Sequence, residues 1–90
     1  MTDGYSVEFA APARRALAGE LPESIVAAVM EFITGPLREK PHRVGRRLRA
    51  PLDELYSARR GDYRILYRIL DGVLVIEVVS VKHRRDVYRR

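Results

Sequence analysis

The clearest pattern of apolar and polar positions lies in the C-terminal third, where two runs rich in Ile, Leu, Val and Tyr flank Asp71-Gly72. Asp-Gly tolerates the positive φ angles of a tight two-residue turn, so this pattern predicts a β-hairpin. Antiparallel partners keep a constant index sum, so such a turn would pair Leu70 with Val73 and Arg64 with Val79.

That register predicts two different faces for the hairpin. The Arg64 face also carries Arg68, with Glu77 diagonal to both arginines. Either Glu77 holds the arginines in surface ion pairs, which is the commoner arrangement, or they face a phosphate-binding site. The apolar core face consists of Tyr63, Ile65, Tyr67 and Ile69 opposite Ser80, Val78, Ile76 and Leu74.

The N-terminal part is predicted to form one strand and two helices. Tyr5 to Phe9 alternates as a short strand. Pro12 suits the first turn of a helix that ends near Gly19, and Pro22 begins a second helix that Gly35-Pro36 stops. The second helix has an apolar stripe, which should cover the sheet or, alternatively, receive a partner helix. The stripe contains Ile25, Val26, Val29, Phe32 and Ile33.

The middle of the chain is predicted to be a basic loop followed by a strand. Leu37 to Pro51 has no clean period and is rich in arginine, which suits bidentate phosphate contact. Leu55 to Arg59 reads as a strand that turns at Arg60-Gly61-Asp62 into the hairpin. This register places Ser57 on the Arg64 face, together with Arg59.

These elements predict a single α+β domain over residues 1–90, in the order β-α-α-β-β-β. Two N-terminal helices should pack on one face of a small, mainly antiparallel sheet. The opposite face and the C-terminal tail should be basic.

Charge points to a nucleic-acid partner. The net charge is +5, and it is divided unevenly: residues 1–37 sum to −3 and residues 38–90 to +8. A concentrated basic segment is typical of nucleic-acid binding. The chain has no cysteine and two histidines, so we expect no metal site and no cofactor. Without a signal peptide or membrane-length apolar run, we expect a cytoplasmic protein with no membrane partner.

Two stretches resemble the RelE/ParE superfamily of toxin–antitoxin toxins, and within it the RelE-like mRNA interferases. One runs from Leu55-Tyr56 through Arg59 into Gly61 to Tyr67, and the other from Val81 to Tyr88. The resemblance implies a RelE-like fold and a toxin that enters the ribosomal A site, contacts rRNA and cleaves mRNA, inhibiting translation. It implies a metal-free reaction in which the RNA 2′-OH attacks the adjacent phosphate.

The resemblance also implies partners. A RelB-like cognate antitoxin would wrap the toxin with an acidic segment, displacing the C-terminal tail or covering the Arg64 face. The toxin–antitoxin complex would then be able to bind its own promoter DNA.

Three residues take roles from the resemblance. Arg64 matches the strand arginine that contacts the scissile phosphate, and Arg84 matches a second phosphate-contacting arginine. Tyr88 matches a C-terminal tyrosine that stacks on a substrate base. The sequence departs from the best-studied RelE-type site at Leu55 and Ser57, where two lysines would stand, one of them thought to act as the base.

The missing lysines leave Glu54 and His83 as candidate acid–base residues, since other branches of the superfamily resemble ribonucleases with a Glu and His pair. A histidine such as His83 is suited to either an acid or a base role. The further cations expected to bind RNA are Arg59, Arg68, Arg46, Arg47, Lys40, Lys82 and Arg85.

Two other functions fit the same resemblance or charge. A ParE-like toxin would bind and poison DNA gyrase without cleaving RNA. A plain RNA-binding or ribosome-associated module would cause no growth arrest.

Overall fold

The computed structural model describes residues 4–87. Its helical segments are α1 (Ala11–Arg15, continued by a π-helical segment Ala16–Glu20), α2 (Glu23–Phe32, continued by a π-helical segment Ile33–Leu37), α3 (Pro41–Val44) and α4 (Arg84–Val87). Its strands are β1 (Ser6–Phe9), β2 (Arg46–Arg47), β3 (Tyr56–Arg60), β4 (Tyr63–Leu70) and β5 (Val75–His83). No helix in the described part is both long and apolar enough to cross a membrane.

The strands form one sheet in the order β1-β5-β4-β3-β2. Strand β1 runs parallel to β5, and all other neighbours are antiparallel. The predicted α+β class and mainly antiparallel sheet are therefore confirmed. Helices α1 and α2 supply buried side chains to one core with the sheet. This core contains Ala13, Ala16, Val29, Ile33, Leu37, Ala58, Ile65, Tyr67, Ile76, Val78 and Val81.

The predicted stop of the second helix at Gly35-Pro36 is wrong. The helix widens into the π-helical segment Ile33–Leu37 and carries Pro36 inside it. Proline lacks an N–H and clashes with the carbonyl four residues before it in an α-helix, whereas π-helical hydrogen bonds reach five residues. Leu37 is fully buried in the core, so continuing the helix by one turn gains apolar burial.

The predicted loop from Leu37 to Pro51 is also wrong, because it contains α3 and the edge strand β2. Pro41 starts α3 and is buried, and its carbonyl accepts a 2.6 Å hydrogen bond from the Tyr67 hydroxyl. Burial raises the pKa of Tyr67 well above its ordinary value. Gly45 lies so close to Tyr67 that a Cβ there would approach the Tyr67 hydroxyl to 2.2 Å. A glycine is therefore required where α3 turns into β2.

The β4–β5 turn differs from the predicted two-residue turn. Residues Asp71–Val73 form a 3₁₀ turn, and Leu74 adopts the left-handed conformation at φ 54°. The strands resume pairing at Leu70 with Val75, and Arg68 lies directly opposite Glu77. The Asp71 side chain accepts hydrogen bonds from other parts of the chain, a tertiary effect that a local turn rule does not include.

A β-bulge changes the hairpin register a second time. Leu66 pairs with Ser80, whereas Tyr67 pairs with Val78, so Val79 is the extra residue. Beyond the bulge, Ser80 lies on the Arg64 face, and the prediction that it belongs to the core face is wrong. The predicted faces of β3 are correct, since Arg59 pairs with Arg64 across the β3–β4 hairpin.

Candidate nucleic-acid interface

Three cations stand side by side across three strands of the sheet. Arg59 of β3 pairs with Arg64 of β4, and Arg64 pairs with Lys82 of β5. Adjacent strands are about 4.8 Å apart, so the three side chains leave one face of the sheet as neighbours. We call them the cationic row. The bulge creates this row, because the register on the turn side of the bulge, continued without it, would have placed Val81 opposite Arg64.

Arg64 occupies the centre of the row and lacks an anionic partner among the described residues. Its Nε atom is buried and has no hydrogen-bond acceptor. A buried donor without an acceptor is energetically unfavourable, and such groups in native proteins often mark ligand sites. Arg64 also borders a small cavity of about 110 Å³ together with Leu66, Ser80 and Lys82. An anionic oxygen placed there would lie beside the Arg64 and Lys82 side chains.

The row opens onto a wide groove at the β2 edge of the sheet, with a volume of about 640 Å³. We call it the cationic groove. It contains no carboxylate among its lining residues, so it presents only positive charge to a ligand. Strand β2 brings the middle of the chain to this groove by pairing Arg46 with Ser57 of β3. Its arginines are Arg46, Arg47, Arg49, Arg59 and Arg64.

Arg68 differs from Arg64 because two carboxylates lie within ion-pair distance of it, although its buried Nε likewise makes no hydrogen bond. Its Nη1 lies 3.3 Å from Glu54 Oε1, and its Nε lies 3.6 Å from Glu77 Oε1. The predicted ion pair with Glu77 therefore exists at Arg68. Glu54, expected as a catalytic candidate, is engaged here, about 13 Å along β4 from Arg64.

His83 does not join the cationic row either. It pairs with Tyr63 on the other face of the sheet, and their ring centroids are 5.2 Å apart with an edge-to-face geometry. Its Nδ1 accepts a 3.2 Å hydrogen bond from the backbone N–H of Arg85. His83 is therefore held as an aromatic neighbour of Tyr63.

The chain end is anchored beside the β3–β4 turn. The backbone N–H of Arg84 donates a 2.7 Å hydrogen bond to the carbonyl of Asp62. The Arg84 and Arg85 side chains are exposed, and Lys40 is exposed at the start of α3, outside the groove lining. Tyr88, expected to stack on a base, lies outside the described residues.

The sequence reasoning missed a cluster around Asp71. The Tyr5 hydroxyl donates a 2.6 Å hydrogen bond to Asp71 Oδ1, and His42 Nε2 lies 3.0 Å from the same oxygen. His42 Nδ1 lies 3.3 Å from the Tyr56 hydroxyl. The hydrogen bonds from Tyr5 and then His42 hold the pKa of Asp71 below its ordinary value. These residues are far apart in sequence, so no spacing rule signals the cluster.

The fold and this site define a small α+β protein whose open sheet face is cationic and suited to binding phosphate groups. Among the residues 4–87, no three His, Asp or Glu side chains are grouped so as to hold a metal ion. The cationic row supplies fixed positive charges, which bind anions and can stabilise negative charge in a transition state.

Comparison with known proteins identifies the family. Residues 7–88 match the model for the ParE toxin of the type II toxin–antitoxin system parDE. Toxin RelG of Mycobacterium tuberculosis is 50% identical over 86 residues, which are 96% of this chain and 98% of that toxin. Toxin RelE of the same organism is 48% identical over 85 residues, covering 94% of this chain and 87% of that toxin.

A solved structure is similar as well. The toxin–antitoxin complex RelBE2 of M. tuberculosis contains a chain that is 48% identical, with a TM-score of 0.85. The match covers 90% of this chain and 99% of that one. This chain therefore belongs to the ParE toxin family of type II toxin–antitoxin systems, and it is a RelE-like toxin.

Proposed function

We propose that this toxin is a ribosome-dependent endoribonuclease that cleaves mRNA in the ribosomal A site. The observation that carries the proposal is the cationic row, in which Arg64 stands between Arg59 and Lys82 and has no anionic partner among the described residues. In metal-free cleavage the 2′-oxygen forms a bond to phosphorus as the bond to the 5′-oxygen breaks. The products are a 2′,3′-cyclic phosphate and a free 5′-hydroxyl, and negative charge develops on the phosphorane oxygens between them.

The cationic row suits this transition state. The Arg64 guanidinium donates to the non-bridging oxygens, with Arg59 supplying a second fixed positive charge. Lys82 carries an ammonium group with donors that can protonate the departing 5′-oxygen. Arg84 and Tyr88 keep their proposed roles at the phosphate and at a substrate base. The arginines of the cationic groove would bind the flanking phosphates.

The proton of the 2′-OH needs an acceptor, and the described part of the row contains only cations. Glu54 is paired with Arg68, and His83 lies on the other face of the sheet. We infer that a catalytic role for either residue requires a rearrangement on the ribosome. This requirement gives the proposed dependence on the ribosome a physical reason, since no base is assembled beside Arg64 in the part of the chain that the structure describes.

We further propose that a RelB-like antitoxin neutralises the toxin by laying an acidic segment in the cationic groove. The solved complex RelBE2 of M. tuberculosis is described as a toxin–antitoxin complex, and its matching chain is 48% identical to this one. The groove is lined by five arginines and no carboxylate, so an acidic segment would be attracted strongly and captured fast.

A second candidate function is poisoning of DNA gyrase without RNA cleavage. It is favoured by the ParE description of the matching family model and by Ser57, which faces the groove where the resemblance leads one to expect a lysine. A groove of fixed cations without a base is also suited to binding alone.

The test is to map mRNA 5′ ends after brief induction of the wild-type toxin and of Arg64→Ala, with translation running. The endonuclease proposal expects codon-phased cuts that disappear in Arg64→Ala and persist in Arg15→Ala, which removes an exposed cation of α1 instead. Growth arrest with intact transcripts and DNA damage would overturn the proposal in favour of gyrase poisoning.

A further inference from the structure

The small cavity beside Arg64, with a volume of about 110 Å³, is bounded by two pairs of residues on neighbouring strands. We call it the row cavity. Arg64 of β4 pairs with Lys82 of β5, and Leu66 of β4 pairs with Ser80 of β5. The four side chains therefore stand at the corners of a square on the Arg64 face, and the cavity lies among them.

The β-bulge decides which residues form the β5 side of the row cavity. The register on the turn side of the bulge, continued without it, would place Val79 and Val81 there. The bulge instead places Ser80 and Lys82 on this side. Bulges often redirect side chains next to active sites. One extra residue thus gives the cavity a polar wall where the strand would otherwise supply an apolar one.

Ser80 differs chemically from the other residues that line the row cavity. Arginine and lysine side chains only donate hydrogen bonds and leucine makes none, whereas a serine hydroxyl both donates and accepts. Ser80 is therefore the one side chain lining this cavity that can accept a hydrogen bond. It is only 8% exposed, and a buried hydroxyl gains most from a hydrogen-bonding ligand. The cavity is suited to a ligand that carries a hydroxyl next to a phosphate.

We propose that Ser80 binds the 2′-hydroxyl of the nucleotide that precedes the scissile phosphate. This inference rests on the proposed ribonuclease function. The Ser80 hydroxyl accepts the hydrogen bond of the 2′-OH while Arg64 holds the phosphate. Ser80 is a positioning residue: it orients the attacking oxygen and does not keep its proton, because a neutral hydroxyl is a weak base. Since DNA has no 2′-OH, the same contact distinguishes RNA from DNA.

The order of side chains along β5 fits the geometry of the reaction. In an in-line displacement the attacking and leaving oxygens lie on opposite sides of phosphorus. Ser80 and Lys82 are two residues apart on one face of the strand, so their Cα atoms are separated by about 6.8 Å. With Ser80 at the 2′-oxygen, Lys82 lies towards the departing 5′-oxygen, and Arg64 faces the non-bridging oxygens. Ser57 lies on the other side of Leu66, outside the cavity, and does not have this arrangement.

The experiment measures equilibrium binding of the toxin to ribosomes programmed with mRNA that resists cleavage. The nucleotide before a mapped cut carries either no 2′ group, as 2′-deoxyribose, or a 2′-amino group. At mildly alkaline pH the neutral amine still donates a hydrogen bond. The wild-type toxin should bind the 2′-amino complex about fivefold more tightly than the 2′-deoxy complex, the usual net effect of one neutral hydrogen bond.

Three variants assign this preference to a residue. Ser80→Ala should bind the two complexes equally. Ser80→Cys keeps the shape of the side chain, but its sulfur is a weak acceptor, so the preference should fall to less than about twofold. The Cys variant decides the matter if Ser80→Ala does not fold. Ser57→Ala is the matched control from the same sheet face and should keep the wild-type ratio. Each ratio is taken within one protein, so a loss of stability does not imitate the effect.

The outcomes separate this proposal from the proposed function. Equal binding of both complexes by the wild-type toxin, or a full preference in Ser80→Ala or Ser80→Cys, would overturn the role of Ser80 alone. Loss of the preference in Ser57→Ala would overturn it as well. Absence of any mapped cuts by the wild-type toxin would overturn the ribonuclease function itself and the role of Ser80 with it.

Discussion

Replacing Arg64 should abolish toxicity and yet stabilise the free toxin. Arg64→Met keeps most of the aliphatic stem while removing the guanidinium. In the folded protein this removes a buried donor that lacks an acceptor, for which the usual penalty is about 1–3 kcal/mol. It also removes a positive charge flanked by Arg59 and Lys82. Some packing of the stem is lost, so we expect a net gain of about 1 kcal/mol in the free energy of unfolding.

The assay is urea and thermal unfolding of purified wild-type toxin, Arg64→Met and the matched variant Arg68→Met. For a chain of this size, 1 kcal/mol corresponds to about 4–8 °C in Tm. Arg68→Met removes the same kind of unsatisfied Nε but also two ion pairs, with Glu54 and Glu77, so it should gain less stability than Arg64→Met or be neutral. The part of the Arg64→Met gain that comes from charge repulsion should shrink at high salt.

The reasoning is refuted if Arg64→Met unfolds at least 1 kcal/mol more easily than the wild type, or if it loses more stability than Arg68→Met. Either result would mean that Arg64 is satisfied in the free toxin and contributes to its folding. The stabilising result would identify a residue kept for its ligand at the expense of stability.

Three other changes test the fold around the site. Gly45→Ala should destabilise the toxin by about 2 kcal/mol or more, measured by urea unfolding, because the new Cβ would clash with the Tyr67 hydroxyl. Gly72→Ala is the control and should be close to neutral, since a Cβ at Gly72 meets nothing within 4 Å. Tyr67→Phe should cost about 1–2 kcal/mol in the same assay by leaving the Pro41 carbonyl without its buried donor, and an unchanged midpoint would contradict this. Because the pKa of Asp71 is lowered in the folded toxin, the unfolded chain binds more protons at acidic pH. The contribution of Asp71 to stability is therefore present above the ordinary carboxyl pKa and is lost as the pH falls through the folded value. Asp71→Asn should flatten the rise of stability with pH below about pH 4, and parallel pH profiles of the two proteins would rule the contribution out.

The alternation of apolar residues, the turn residues and the helical spacing of apolar residues correctly predicted four of the five strands that the structure describes, one of the turns and part of the helical core. Alternation identified the core side chains of β4, and a two-residue β3–β4 turn predicted that Arg59 lies on the Arg64 face, where the structure pairs the two residues. The helical stripe correctly contributed Val29 and Ile33 to the core. In each case the side-chain period and the burial of apolar surface favour the same structure.

The remainder depends on contacts between distant residues. The short α3 is held by the hydrogen bond between Tyr67 and Pro41, and the β4–β5 turn is held by Tyr5 and His42 on Asp71. The bulge did leave a trace in the sequence. In β5 the apolar core residues have even numbers up to Val78 and odd numbers from Val81 onward, so the alternation of buried positions shifts by one residue between them.

The bulge also determines how this strand tolerates insertions and deletions. Val79 is the one residue of β5 that is surplus to the ladder, so its deletion would straighten the strand and leave Lys82 opposite Arg64. Deletion of Ser80 would also remove the bulge and keep Lys82 opposite Arg64, with Val79 taking the place opposite Leu66. Deletion of Val81 would instead bring the polar Ser80 opposite Ile65 on the core face. Loss of one residue from this part of β5 should therefore be accepted by the fold at Val79 or Ser80 and be excluded at Val81.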